Sequence, residues 1–189
     1  MPNKLINTYR TSYPLKLADK YRIICKVLEF RSAISWFDDK DLTYFVKVLL
    51  ENGIVLISEE AYRQSHGGKD LWKKKTPSQW SDYVSRMLKG VPQTDYLQEK
   101  IDRNKYSWEH IVPAKVLIDE VKSLYASKKF TQKTLSSIIE KYGAVCIVSK
   151  SENDTLTKNK LRSKMPTSWK FGDPELCRYN SVGISLKQP

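Results

Sequence analysis

The stretch Ser107-Trp108-Glu109-His110-Ile111-Val112-Pro113 places a carboxylate beside one of only two histidines in 189 residues. Side chains alternate along a strand, so a site that uses both Glu109 and His110 requires irregular backbone at this point. Pro113 has no amide donor and is expected to end regular pairing. A carboxylate and an imidazole side by side suit metal-assisted phosphodiester hydrolysis. A half-buried strand end, with a solvated Glu109 and a hydrogen-bonded His110, is the alternative that the residues leave open.

The charge of the chain favours a polyanionic partner. There are 33 Lys+Arg against 21 Asp+Glu, which gives a formal net charge of +12. This excess predicts binding to nucleic acid, and an anionic membrane surface is the competing explanation. No apolar run reaches about 18 residues and residues 1–14 contain no apolar signal-peptide core, so a cytoplasmic protein without a membrane span is expected. The three cysteines form no CxxC pair and are expected to be buried thiols rather than metal ligands.

The N-terminal half is predicted to be mostly helical. Apolar residues recur there with a period close to 3.6, and Asn52-Gly53 has the character of a helix stop. The predicted elements are helices over about 14–37, 39–52 and 76–90, a strand over 54–57, and a short helix capped by Ser58. The Gly67-Gly68 pair with Lys73, Lys74 and Lys75 indicates either a flexible loop that lies against phosphate or an ordinary solvated loop.

The second half alternates strand, helices, strand and helix. The run 144–148 is uninterrupted and apolar, which predicts a buried strand. The other predicted elements are a helix after Pro113 that ends near Lys128-Lys129, a helix over 131–142 capped by Thr131 or Thr134 and terminated by Gly143, and a helix that opens at Ser151 and ends at Met165-Pro166.

Glu109-His110-Ile111-Val112-Pro113 resembles the first motif of the HNH, or ββα-metal, endonucleases, whose usual form is Asp or Glu, His, two aliphatic residues and Pro. The run 144–148 resembles the second strand of that finger, and Ser151-Glu152-Asn153 falls where the family's helix presents its closing His or Asn. The likeness extends more loosely to a basic tail from Leu161 onward. It covers about 80 residues, and a short EHIVP match is moderately specific.

The resemblance implies a role for each of these residues. His110 would be the general base that activates water, and Glu109 and Asn153 would be ligands of one Mg²⁺ or Mn²⁺ ion, with Glu152 as the alternative ligand. Two departures stand out. No Asn occurs in 143–146 to steer the histidine, a role that a backbone carbonyl or Asn180 would have to take. His110 and Asn153 are also 43 residues apart, more than the family's usual spacing, although a long loop costs little free energy.

Basic residues of the second half are predicted to contact DNA. Lys158 and Arg162 would share one face of a helix that begins at Ser151, because they are four residues apart. There they would contact phosphates, or alternatively only solvate an exposed face. Arg178 in the tail is also expected to bind DNA.

Together these patterns predict an α+β protein with a mostly helical, DNA-contacting region over 1–105 and a ββα-metal nuclease region over 106–189. The second region has a helical insertion between its strands, and the whole is expected to form one compact unit. The predicted activity is metal-dependent cleavage of double-stranded DNA, in a restriction, phage or defence setting. Cutting both strands with one metal site suggests a homodimer. A non-catalytic DNA-binding or inhibitor module that retains a degenerate finger is the alternative.

Overall fold

The structure, a computed structural model, describes residues 15–33, 46–47, 49–51, 54–67, 70 and 101–187. The described residues contain six helices and a small three-stranded mixed sheet, so the predicted α+β class is confirmed. In chain order the elements are α1 (Leu17–Ala33), β1 (Val55–Ile57), α2 (Glu59–Gln64), β2 (Tyr106–His110), α3 (Ala114–Ala126), α4 (Gln132–Tyr142), β3 (Val145–Ser149), α5 (Lys150–Lys158) and α6 (Cys177–Asn180).

The three described strands form a mixed sheet in the order β1-β3-β2. β3 lies in the middle and is buried at all five positions, which explains its uninterrupted apolar sequence. β2 runs antiparallel to β3, from Tyr106 opposite Ser149 to His110 opposite Val145. β1 runs parallel to β3, with Val55 opposite Val145. The predicted strands and the helical insertion between β2 and β3 are therefore confirmed.

Helices cover both faces of this sheet. On one face, here called the α2 face, Val55, Tyr106 and Val145 pack with Ala61 of α2. On the opposite face, here called the α5 face, Cys146 and Val148 of β3 pack with side chains from the following helices, Leu156 of α5 and Tyr179 of α6. Cys146 is the only one of the three cysteines that is fully buried, since Cys25 and Cys177 are half-exposed.

A separate helical layer lies beside the sheet. Buried side chains of α1, α3 and α4 pack together there, with Val112 and Phe130 from the connecting segments. The predicted regions 1–105 and 106–189 are thus joined twice, through β1 in the shared sheet and through α1 in the shared helical core.

Helix starts follow side-chain caps. Ser58 accepts a hydrogen bond from the amide of Ala61, and Thr131 caps α4 with a capping box, as predicted. The predicted start of α5 at Ser151 is late by one residue, since the helix begins at Lys150. Ser149 is the N-cap, because its hydroxyl accepts from the Glu152 amide while the Glu152 carboxylate accepts from the Ser149 amide.

α5 is shorter than the sequence predicted. It ends at Lys158, because Lys160 takes a left-handed conformation with φ 59°. The Leu161 amide donates to the Leu156 carbonyl and the Lys160 amide to the Thr157 carbonyl, which is the hydrogen-bond pattern of a Schellman motif. A lysine at the position that usually holds glycine concealed this stop.

Parts of the sequence prediction lie outside the described residues. These are most of the helix over 39–52, the helix over 76–90, and Lys73, Lys74 and Lys75. Within the described ranges, none of the helices is both long and apolar enough to cross a membrane.

Candidate functional site

β2 remains regular to its last residue. His110 is paired with Val145, and the next amide, of Ile111, donates to the Ala144 carbonyl at 3.0 Å. Glu109 and His110 therefore leave opposite faces of the sheet. A site shared by Glu109 and His110 would require irregular backbone here. The structure does not have it, because the hydrogen bonds between β2 and β3 continue to Ile111.

Glu109 lies on the α5 face. It is opposite Cys146, whose side chain packs there, and its own side chain is 15% exposed. Burial raises the pKa of the Glu109 carboxyl, although the positive charges of Arg178, Arg162 and His110 oppose this shift. The nearby cations thus compensate incompletely for the loss of solvent around this carboxylate.

Arg178 is fully buried, so its predicted role as a DNA contact is wrong. Its guanidinium lies 3.7 Å from Oε2 of Glu109 and donates to four backbone carbonyl oxygens. The acceptors are the carbonyls of His110, Ile111 at 3.0 Å, Leu161 at 2.8 Å and Arg162 at 3.2 Å. The fifth donor of Arg178 bonds the Tyr179 hydroxyl at 3.1 Å. Arg178 therefore holds the end of β2 against the segment that follows α5, and has no donor free for a phosphate.

His110 faces a carboxylate on the α2 side that the sequence prediction missed. Its Nε2 lies 3.0 Å from Oε1 of Glu51, and the two side chains are only 14% and 4% exposed. The two atoms are close but not aligned as a hydrogen bond, and Nε2 has no other partner among the described residues. Glu51 is four residues before Val55 in the chain, and both Val55 and His110 are opposite Val145, so the start of β1 and the end of β2 lie at the same end of the sheet.

Lys20 of α1 completes this group. Its Nζ donates to the backbone carbonyl of Glu51 at 2.8 Å. Burial lowers the pKa of Lys20, and the Glu51 carboxylate opposes this shift. Helix α1, the segment before β1 and the end of β2 therefore meet at Lys20, Glu51 and His110.

Asn153 is buried on the inner side of α5 and is 8% exposed. Its Oδ1 has no hydrogen-bond partner among the described residues. Asn153 and Leu156 are three residues apart and share the face of α5 that packs on the sheet, the same α5 face from which Glu109 projects. An unpaired buried amide oxygen costs free energy, which makes it a candidate for a ligand atom.

Glu152 has a structural role instead. Its Oε2 accepts from the Ser149 amide at 2.8 Å and from the Ser58 hydroxyl at 2.6 Å. The carboxylate closes the start of α5 and ties it to the end of β1. These bonds use Oε2 and not Oε1, so the alternative assignment of Glu152 as a metal ligand stays a prediction.

Lys158 and Arg162, the other two predicted cations of the second half, are exposed but do not share one helix face. Lys158 is in the last turn of α5, whereas Arg162 lies beyond the end of the helix, so the argument from their spacing is wrong. Arg162 is close enough to act electrostatically on Glu109. Lys160 and Lys164 are exposed as well, which gives four cations in seven residues without an acidic residue.

The donor set at this site is small. Within the described ranges, no three His, Cys, Asp or Glu side chains are grouped so that they could hold a metal ion. Glu109 and Asn153 would supply one carboxylate and one amide oxygen, and oxygen donors suit Mg²⁺ or Mn²⁺, which keep several waters.

Sequence reasoning missed Glu51. The available signal was a single acidic residue directly after the apolar residues Val48-Leu49-Leu50, because a carboxylate that is buried with such neighbours needs a polar or charged partner.

This chain matches no known protein family, and no curated protein or solved structure is significantly similar to it.

Proposed function

We propose that this protein is a divalent-metal-dependent endonuclease of the HNH type that hydrolyses phosphodiester bonds in double-stranded DNA. The observation that supports this most directly is the buried, unpartnered Oδ1 of Asn153 on the same face of the sheet as Glu109. It is independent of the sequence motif, since it comes from the position of α5.

Glu109 and Asn153 fit a metal ion in their chemistry. Both offer oxygen, and the Asn153 oxygen lacks a partner in the described part of the chain. A bound Mg²⁺ or Mn²⁺ would stabilise negative charge on the phosphate and on the leaving oxygen. The same positive charge would favour ionised Glu109, which burial disfavours.

His110 is the proposed general base. It is the last residue of β2, an edge strand among the described residues, and the imidazole acts electrostatically on Glu109. His110 would accept the proton of the attacking water, a role that contributes about 10²- to 10⁴-fold in rate.

Charge supports a DNA substrate. The net charge of +12 and the exposed cations Lys158 and Arg162 would attract a phosphate backbone in a sequence-independent way. Binding of Lys73, Lys74 and Lys75 to phosphate, two copies per duplex and a cytoplasmic setting remain predictions.

The alternative is a DNA-binding or inhibitor module that does not cleave. One observation favours it, because the regular backbone of β2 sends Glu109 and His110 to opposite faces. A nuclease finger that no longer cleaves could also have Glu109 and His110 on opposite faces of the sheet.

The test is cleavage of plasmid DNA with Mg²⁺ or Mn²⁺ by the full chain and by His110→Ala. His66→Ala is the matched control, because His66 is the other histidine and its side chain is 78% exposed. The nuclease proposal expects a loss of about 10²- to 10⁴-fold for His110→Ala only, with DNA binding unchanged in EDTA. DNA binding without cleavage in either metal would support the module instead.

Metal binding is measured separately, without cleavage. Titration with Mn²⁺ followed by electron paramagnetic resonance should show a bound ion that is lost in Asn153→Ala. Thr155→Ala, at a half-exposed position of the same helix, is expected to bind Mn²⁺ as the wild type does. Equal binding by the two variants would remove Asn153 from the ligand set.

A further inference from the structure

We infer that Glu51 is a positioning residue that orients His110. The HNH-like motif of this chain lacks the Asn that would otherwise orient the histidine. This inference rests on the proposed nuclease function and names the group that orients its base. The carrying observation is the 3.0 Å approach of Glu51 Oε1 to His110 Nε2, between side chains that are 4% and 14% exposed.

A carboxylate as buried as Glu51 requires polar or charged neighbours. Those that the described residues supply are His110 at its side chain and Lys20 at its main-chain carbonyl. The Lys20 bond fixes the backbone of Glu51 to α1, and Glu51 in turn faces the imidazole. The imidazole is thus attached through two contacts to a helix in the shared helical core.

The contact with Glu51 determines which nitrogen of the His110 ring is available to accept a proton. The negative charge of Glu51 Oε1, 3.0 Å from Nε2, favours the ring proton on Nε2 even though the two atoms are not aligned as a hydrogen bond, and Nδ1 then remains to accept a proton from water. A carboxylate that orients an imidazole in this way acts through the histidine and does not touch the substrate. Its loss should therefore slow the chemical step without weakening DNA binding.

The test uses the full chain with Glu51→Leu, which keeps a similar volume but removes the oxygen that approaches Nε2, and Glu51→Gln, which keeps a carbonyl oxygen at that position. Glu51→Leu is expected to lower kcat about 10- to 100-fold with the KM for DNA unchanged, and Glu51→Gln should restore much of the loss. Glu59→Leu, at an exposed glutamate close by in the sequence, is the matched control and should cleave as the wild type does.

A double-variant cycle separates positioning from general damage. If Glu51 acts through His110, Glu51→Leu adds little to the loss already caused by His110→Ala. The same cycle can be measured by urea unfolding, which does not depend on cleavage. If the two side chains interact, the fold-change in the unfolding equilibrium constant of the double variant should be smaller than the product of the fold-changes of the two single variants.

Each outcome is decisive. If the wild type cleaves and His110→Ala does not, but Glu51→Leu cleaves normally, the positioning role is wrong and the nuclease proposal stands. Independent effects of the two variants, on cleavage or on unfolding, would also overturn it. If the wild type cleaves with neither metal, the proposed function fails and the inference fails with it, whatever coupling the unfolding cycle shows.

Discussion

Replacement of Arg178 should destabilise the protein rather than weaken DNA binding. Arg178→Ala removes the donors to four backbone carbonyls and leaves the Glu109 carboxylate without its cation 3.7 Å away. Removing one partner of a buried ion pair costs about 3–5 kcal/mol. For a chain of this length, each kcal/mol corresponds to roughly 2–4 °C, so Tm should fall by roughly 6–20 °C.

The measurement is urea unfolding followed by tryptophan fluorescence, together with a thermal scan by circular dichroism. Arg22→Ala is the control, because the Arg22 side chain is 70% exposed and its pair with Asp19 is on the surface. Its effect should be within about 0.5 kcal/mol. The double variant Arg178→Met with Glu109→Gln should be more stable than Arg178→Met alone, because no unpaired carboxylate remains.

The reasoning about Arg178 would be refuted by a specific result. If Arg178→Ala unfolds within about 1 kcal/mol of the wild type, a magnitude usual for surface substitutions, the guanidinium does not hold β2 to the segment after α5. If that variant also loses DNA affinity, Arg178 contacts DNA, as the sequence first suggested.

Four further predictions concern single elements. Glu109→Gln should raise Tm in EDTA at neutral pH, because burial raises the pKa of this carboxyl, so its ionisation costs stability even beside Arg178, and because Arg178 keeps its bonds to four backbone carbonyls in this variant. Stability linked to Glu109 is present at acidic pH and is lost as pH rises through the raised pKa, so the difference from wild type should vanish in acid. A constant difference would contradict this. Glu152→Ala should cost about 1–2 kcal/mol in urea unfolding through loss of the capping box, and no loss would contradict that role. Lys160→Gly should stabilise by up to about 1 kcal/mol, since Lys160 has φ 59°, and a fall in the urea midpoint would argue against the helix stop there. Replacing both Lys158 and Arg162 by Ala should lower the slope of log affinity for DNA against log salt by about 2, whereas an unchanged slope would exclude phosphate contacts.

The sequence predicted the elements whose signals are local. β3 was recognisable because a strand buried on both faces is apolar at every position. The starts of α2 and α4 were recognisable because Ser58 and Thr131 cap the helices that follow them. The end of α5 was missed because Lys160 adopts a conformation that is usually signalled by glycine.

Long-range features could not be predicted from these signals. No local pattern states that β1 lies parallel to β3, or that Glu51 faces His110 across 59 residues. Arg178 looked like a surface cation because its interior acceptors are backbone carbonyls, which leave no trace in the sequence. For the candidate site, residue types indicated the chemistry, whereas strand regularity determined that Glu109 and His110 project to opposite faces.

The parallel pairing of β1 with β3 has a consequence for biosynthesis. Val55 and its partner Val145 are 90 residues apart. At the usual rate of translation, β1 leaves the ribosome roughly 5–18 seconds before its partner is made. During that interval the apolar residues of β1 have no strand to pair with, so the nascent chain is expected to need chaperone protection until the second half emerges.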